Sequence, residues 1–286
     1  MVYDAAHSQI LMFGGSNGAP ASGVPSFFND LWSWNGATWS QISAGTGPSA
    51  RDGAGIAYDG NRQRVVLFGG RGVQGSTTVQ LNDTWEWDGT SWRQASTVGP
   101  PARAHTALGY DAARRRVVMH GGTTPDGQGV FDTWEWDGTA WAQRASTAPS
   151  AFTLPSSLVF DAGKNALLAF VGAIPSGATQ LWQWNGSAWT ILGAGPTADV
   201  PVPIFTTGPN RIVILAEGAG SPQMYSWDGA TWSPLAGATP TRRFGSAAAY
   251  DVGRQQAVLF GGMSGGTNQV QSDTWIWIGN GWTRSP

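Results

Sequence analysis

The sequence predicts an all-β fold built from six copies of a four-stranded antiparallel unit, and two observations carry this prediction. The 286 residues include 41 glycines and 17 prolines, which weaken helix interiors, and only 12% are charged, which disfavours a disordered polyelectrolyte. All 17 tryptophans lie in six segments that repeat one pattern, aromatic-x-Trp followed by a further Trp. The first aromatics of these segments are Trp32, Trp85, Trp134, Trp182, Tyr225 and Trp275.

A second motif recurs with the same period as the tryptophan segments, and it marks the start of each repeat. An aromatic-Asp pair is followed, at a constant distance, by an aromatic residue or His before two small residues, as in Phe68-Gly69-Gly70. The fifth repeat is degenerate, with Thr207-Gly208 in place of the pair. Asp in such a pair favours a turn closed by side-chain to backbone hydrogen bonds. The pairs are Tyr3-Asp4, Tyr58-Asp59, Tyr110-Asp111, Phe160-Asp161 and Tyr250-Asp251.

Each repeat predicts four strands, which we name A to D. In the second repeat, strand A covers 54–58 and strand B covers the apolar, β-branched run 64–68. Strand C carries Trp-x-Trp, whose tryptophans share one strand face because successive side chains alternate. Strand D carries the last Trp and follows Asn-Gly or Asp-Gly in five repeats, a strong hairpin signal.

A period of roughly 50 residues, with four strands in each repeat, is typical of a β-propeller, in which neighbouring sheets cover each other's faces. We therefore expect one domain, a six-bladed propeller. Its blades are expected at 1–48, 49–100, 101–150, 151–198, 199–240 and 241–286.

The pairing of Phe-Gly-Gly after strand B with Asp-x-Trp-x-Trp in strand C resembles kelch repeats, in particular a bacterial variety rich in Asp-Thr-Trp-x-Trp-Asp-Gly. The resemblance covers essentially the whole chain and is weaker in the fourth and fifth repeats. It implies a kelch-type propeller, a fold that hosts adaptors, receptors, glycan binders and enzymes, so it does not fix function. It also implies an extracellular or periplasmic location, although this chain shows no signal peptide. Repeat one holds about half of a strand A, which predicts either a trimmed ring or a short strand that suffices.

Composition disfavours or excludes several classes of function. The net charge of −2 gives no general attraction to nucleic acid, and no apolar run is long enough for a membrane helix. The absence of cysteine excludes disulfides, thiolate metal sites and the cysteine–tyrosine crosslink of copper radical oxidases, which are another kelch enzyme class. Gly-x-Ser-x-Gly and Walker-type loops are absent. We expect a monomer without metal or cofactor.

The two faces of such a ring differ in sequence. The A–B and C–D turns share one face and are short and nearly constant, whereas the B–C and D–A connections share the other face and vary. The B–C connections at 16–29 and 71–82 are long, and we expect irregular loops there. Binding usually lies on variable loops of a rigid scaffold, although insertions without any role are the alternative.

Arginines recur at one position of this variable face. Arg51, Arg103 and Arg243 each stand seven residues before the strand A aromatic, and Arg242 is adjacent. We expect them at the mouth of the central channel, where they could bind a carboxylate or phosphate. Alternatively, they bond within the blades as part of the repeat, which the recurrence itself favours.

Two further residues are candidates, and the first of them departs from the repeat pattern. Glu217 replaces a glycine in the degenerate fifth repeat, and His105 lies two residues after Arg103. Positions where a repeat breaks its own rule are candidates for function. By contrast, four aspartates precede strand C at equivalent positions and predict a repeated structural role. They are Asp30, Asp83, Asp132 and Asp273.

The sequence predicts a non-enzymatic binding module or interaction scaffold, whose B–C/D–A loop face takes a peptide, a protein or a glycan. Some six-bladed kelch propellers are sialic acid mutarotases, so the resemblance implies an alternative, an acidic-sugar mutarotase or epimerase. In that alternative the three recurring arginines clamp the carboxylate and Glu217 or His105 moves the proton. A ligand-free structural or engineered propeller is the third possibility. The candidate ligand-binding residues are Arg51, Arg103, His105, Glu217, Arg242 and Arg243.

Overall fold

The computed structural model describes residues 1–18, 26–43, 47–145, 157–173, 178–197, 204–208, 211–216, 221–265, 267, 269–279 and 281–285. Within them the chain is all-β, as predicted, and no helix there is long and apolar enough to cross a bilayer. The chain forms two compact units. These are Met1–Ser150 with Gly186–Ala188, and Ala151–Asn185 with Trp189–Pro286.

The N-terminal unit contains three four-stranded antiparallel sheets and one small three-stranded sheet. In chain order its strands are β1 (Val2–Asp4), β2 (Gln9–Ser16), β3 (Phe27–Trp34), β4 (Trp39–Ser43), β5 (Arg51–Asp52), β6 (Gly55–Asp59), β7 (Arg64–Phe68), β8 (Arg71–Gln74), β9 (Thr77–Gln80), β10 (Thr84–Trp87), β11 (Trp92–Ser96), β12 (Ala107–Asp111), β13 (Arg116–His120), β14 (Thr133–Trp136) and β15 (Trp141–Ala145). The four-stranded sheets are β1–β4, β6-β7-β10-β11 and β12–β15, and the small sheet is β5-β8-β9.

The C-terminal unit contains three further four-stranded sheets and one two-stranded sheet. Its strands are β16 (Ser157–Asp161), β17 (Ala166–Ala173), β18 (Ala178–Trp184), β19 (Trp189–Ala194), β20 (Ile204–Gly208), β21 (Arg211–Ala216), β22 (Gln223–Trp227), β23 (Trp232–Leu235), β24 (Arg243–Phe244), β25 (Ala247–Asp251), β26 (Gln256–Phe260), β27 (Met263–Ser264), β28 (Thr274–Trp277) and β29 (Trp282–Arg284). The four-stranded sheets are β16–β19, β20–β23 and β25-β26-β28-β29, and β24 pairs with β27.

Each four-stranded sheet is the meander that strands A to D predict. In the second repeat, β10 pairs with β11 so that Trp87 lies opposite Trp92, and the ring centroids are 5.6 Å apart. The A–B turn follows the predicted chemistry, because the Asp59 carboxylate accepts the backbone N–H groups of Asn61 and Arg62 at 3.1 and 3.0 Å. That carboxylate is buried, so the turn bonds are sheltered from competition with water.

Neighbouring sheets of the N-terminal unit pack through aromatic rings. The ring of Phe13 at the end of strand B meets Trp92 of the next repeat edge-on, with centroids 5.4 Å apart. Phe68 meets Trp141 in the same way, at the same distance. The Trp141 indole N–H also donates to the Thr84 hydroxyl at 2.8 Å, so this packing includes a buried hydrogen bond. In this unit the repeat aromatics form the interface between sheets, as expected if neighbouring sheets cover each other's faces.

One connection departs from expectation. Residues 71–80, expected to be part of an irregular loop, form the regular hairpin β8–β9, and β8 pairs with β5 at the entrance to strand A. Gly75, whose φ is +63°, begins the two-residue turn, and the β-branched run 77–79 favours an extended chain. Length alone indicated a loop, but this local sequence specifies a hairpin.

His120 predicts an acid-sensitive step in stability. It stands where the second and sixth repeats have Phe, it is buried, and its Nδ1 lies 3.1 Å from the Thr133 hydroxyl. Burial lowers the pKa of His120 to about 4, with Asp132 opposing the shift and Arg103 adding to it. The unfolded chain protonates this imidazole near pH 6.5. The contribution of neutral His120 to the free energy of unfolding is therefore fully present above pH 6.5. It falls by about 3 kcal/mol as the pH drops towards 4.

The test compares His120→Phe with wild type in urea unfolding between pH 7 and pH 4. Carboxylates titrate alike in both proteins, so the difference between the two curves isolates the histidine. We expect the variant to lose about 3 kcal/mol less than wild type over that range. Parallel curves would show that His120 is protonated as easily in the folded protein as in the unfolded chain.

Candidate functional site

The recurring arginines make ion pairs inside their own repeats. Arg51 is 1% exposed, and its five N–H donors make five hydrogen bonds. Two go to the Asp83 carboxylate at 2.6 and 2.9 Å, one to the Gly69 carbonyl oxygen at 2.9 Å, and two to the carbonyl and hydroxyl oxygens of Ser49. The aspartate also accepts the Trp85 indole N–H at 2.7 Å. The group therefore ties strand C to the segment that enters strand A.

The same arrangement occurs in the third and sixth repeats. Arg103 pairs with both carboxylate oxygens of Asp132 and donates to the Gly121 carbonyl oxygen at 3.3 Å. Arg243 pairs with Asp273 at 2.7 and 3.3 Å. This geometry favours a structural role for all three arginines, the second of the two alternatives, and ligand binding by them stays a prediction.

A signal for these pairs was present in the sequence. The fourth and fifth repeats lack the arginine, with Thr153 and Val200 at its position, and they also lack the aspartate, with Gln180 and Gln223 instead. Loss of both residues together indicates that they are partners, because a buried charge that loses its counterion is strongly destabilising.

The remaining predicted residues are Glu217, Arg242 and His105. Glu217 lies outside the described residues. Arg242 is half-buried, and its guanidinium carbon lies 5.2 Å from the centre of the Phe244 ring, a cation–π distance. Arg242 and Phe244 belong to the C-terminal unit.

His105 occupies a backbone position that its counterparts fill with glycine. Its φ is +56°, and the equivalent Gly53 and Gly245 have φ of +61° and +68°. A left-handed conformation costs a non-glycine residue about 1–2 kcal/mol, although His tolerates it better than most. His105 also donates its backbone N–H to the Gly53 carbonyl oxygen at 2.7 Å. A strained residue where the repeat has glycine is a candidate for function.

The His105 side chain lies close to a charged pair that sequence reasoning did not assemble. Burial lowers the pKa of His105, Asp52 opposes the shift and Arg71 adds to it, so the imidazole is neutral at pH 7. Arg71 donates to both Asp52 oxygens, Nε to Oδ1 at 3.0 Å and Nη2 to Oδ2 at 2.8 Å. The Ser16 hydroxyl donates to the same Oδ2 at 2.9 Å. Asp52 belongs to none of the repeated aspartate positions in the sequence, and nothing local in the sequence pointed to Arg71 as its partner.

Arg71 lies beside Phe27, one wall of an open depression on the B–C/D–A connections of the N-terminal unit. Its guanidinium carbon lies 5.7 Å from the centre of the Phe27 ring, and 38% of its side chain is exposed. Phe27 is also a wall of the depression, whose volume is about 330 Å³. The lining residues are Ser26, Phe27, Ser49, Ala50 and Val73. The lining therefore combines one aromatic ring, two small apolar residues and two serines, and the cationic Arg71 lies beside the aromatic wall.

The acidic groups of this surface are engaged within the protein. Among the described residues, no group of three or more His, Asp or Glu side chains could hold a metal ion. The Asp52 carboxylate is engaged by Arg71 and Ser16, so a general base here would first have to give up those hydrogen bonds.

Comparison with known proteins supports the fold. No family model matches the sequence, and no curated protein matches it. The solved structure titled "Structure of YjhT" is similar to this chain, with a TM-score of 0.69 and 15% sequence identity. The similarity covers 90% of this chain and 91% of that chain. At this identity it concerns the fold alone: the chain has an all-β, propeller-like fold rich in tryptophan.

Proposed function

We propose that this chain is a six-bladed, kelch-type propeller that acts as a non-enzymatic binding module, with its ligand on the B–C/D–A connections. The ring and its kelch character are supported by the six four-stranded meanders and by the repeated Phe–Trp contacts. The ligand is a peptide, a protein or a glycan.

The observation that carries the proposal is the ordered β8–β9 hairpin. β5 ties it to the entrance of strand A, and it presents Arg71 and Val73 at the surface, with Val73 44% exposed. A surface held rigid before binding loses little entropy when a ligand arrives. The constant turns of the A–B and C–D side, by contrast, use their aspartates for local backbone bonds.

The acidic-sugar enzyme is the weaker candidate. Its clamp needs free guanidinium donors, and those of Arg51 are all engaged within the protein. The likeness of fold does not separate a binding module from an enzyme on the same scaffold.

The test is a thermal-shift screen with three ligand classes, acidic sugars, neutral sugars and short peptides, followed by hydrogen exchange with any ligand found. At a hundred times its Kd, a ligand adds about 2.7 kcal/mol, which raises Tm by roughly 5–10 °C. We expect protection in the B–C/D–A connections, such as 69–82 and 99–106. Protection only at A–B turns such as 60–63, no shift with any class, or faster interconversion of sugar anomers in the presence of the protein would contradict the proposal.

A further inference from the structure

The guanidinium of Arg71 is held on one side and open on the other. Its Nε and Nη2 atoms bond Asp52, and Nη1 makes no hydrogen bond within the described part of the chain. A guanidinium offers a second pair of parallel donors along its Nη1–Nη2 edge, which matches the two oxygens of a carboxylate. Because Asp52 fixes the side chain, this edge has one orientation before any ligand binds.

The depression next to the Arg71 side chain has an apolar lining and room for an apolar side chain. Its apolar walls are Phe27, Ala50 and Val73, and the ring of Phe27 also lies beside Arg71. Ser26 and Ser49 also line the depression, and the Ser49 hydroxyl accepts a hydrogen bond from Arg51 at 2.9 Å, which holds it in place. A ligand that fits both features carries a carboxylate next to an apolar group.

We propose that Arg71 and this depression bind the free carboxyl end of an extended peptide whose last residue is apolar. The α-carboxylate receives the Nη1–Nη2 edge of Arg71, and the last side chain lies against Phe27 and Val73. Ser26 and Ser49 form hydrogen bonds with the peptide backbone. A terminal carboxylate and its own side chain leave the same carbon, so they can occupy an edge and a cavity that share one wall. This inference rests on the proposed binding function and specifies its ligand.

The experiment uses a random peptide library attached through its amino ends, divided into pools by the last residue, in free-acid and amidated forms. We expect the wild-type protein to prefer pools ending in Leu, Ile, Val or Phe. Amidation should weaken binding at least about tenfold, the scale of one hydrogen bond to a charged group. Free 4-methylpentanoate, a small acid with the same end group, separates a peptide ligand from a small-molecule one, because it lacks the backbone.

Two variants localise the effect. Arg71→Gln should lose the distinction between acid and amide, and its folding is checked by its Tm because Asp52 loses its partner. Val73→Glu places a carboxylate that competes for Arg71 at an exposed site where folding is insensitive to it. Val98→Glu is the matched control, since Val98 is 80% exposed, belongs to the same unit and is not among the residues that line the depression. We expect it to bind like wild type.

Each outcome decides the inference. Equal binding of acid and amide, no preference among the pools, tighter binding of 4-methylpentanoate than of the peptides, or unchanged binding by Val73→Glu would overturn it. A sugar that binds with protection of the B–C/D–A connections, while no peptide pool binds, would overturn this inference and leave the binding module standing. Failure of every ligand class in both experiments would remove both.

Discussion

The Asp132→Asn variant is expected to unfold with a free energy about 3–5 kcal/mol lower than wild type, because it leaves the buried Arg103 charge without its counterion. Arg103 is 1% exposed and donates to both Asp132 oxygens. Burial raises the pKa of the Asp132 carboxyl, but bonds from Arg103 and Trp134 and the Arg103 charge outweigh it, so the pKa lies below its ordinary value. The native protein thus favours the charged carboxylate. Urea unfolding at pH 7 measures the loss.

Two comparisons separate the ion pair from a general effect of the substitution. Asp126→Asn changes the same chemical group on an exposed loop of the same repeat, and we expect it to match wild type within error. Arg103→Met/Asp132→Leu removes both charges, and we expect it to be less destabilised than Asp132→Asn, since no uncompensated charge remains. If Asp132→Asn lowered the free energy of unfolding no more than Asp126→Asn does, the ion pair would contribute nothing measurable to stability.

Much of the fold follows from local sequence because its signals are local and repeated. Trp-x-Trp fixes strand C, and Asp followed by Gly fixes the hairpin into strand D, where the Asp88 carboxylate accepts the N–H groups of Thr90 and Ser91 at 2.8 Å. The sheets of the structure follow these predicted strands in all six repeats. The closed six-bladed ring belongs to the proposal, because closure would depend on contacts across the whole chain, which a single repeat does not encode.

The candidate site was harder to predict because its parts are distant in sequence. His105 was identified from its position in the repeat. Its neighbours Asp52 and Arg71 come from another repeat and meet only because β5 pairs with β8. Phe27 belongs to β3, in the first repeat. A site assembled from three repeats has no fixed spacing that the sequence could reveal. The Arg–Asp pairs lie within one repeat, and the sequence reveals them because the fourth and fifth repeats lack both partners.

Glu86→Ala is the second variant with a large expected effect, a loss of about 2–3 kcal/mol in the free energy of unfolding. Glu86 is buried on strand C and accepts three hydrogen bonds. They come from Arg62 Nη1 at 2.5 Å, Arg93 Nη2 at 2.9 Å and the Trp136 indole N–H at 3.0 Å. Trp136 lies in the next sheet, fully buried, so truncation leaves its indole N–H without an acceptor away from water. Arg62 loses one of its two carboxylate partners and keeps the other, Asp59, at 2.7 Å.

The partners of Glu86 provide the matched control. Arg93 is 66% exposed, so its pair with Glu86 is screened by water, and Arg93→Ala should cost at most about 1 kcal/mol. Glu86→Gln keeps an acceptor for Trp136 and should fall between the two. Urea unfolding measures the loss of unfolding free energy in each of the three variants. The order Glu86→Ala, Glu86→Gln, Arg93→Ala, from largest loss to smallest, follows only if the loss arises from buried donors left without an acceptor. Equal losses for Glu86→Ala and Arg93→Ala would mean that the contact between sheets depends on ring packing alone, and that the glutamate between the two tryptophans of strand C contributes nothing to it.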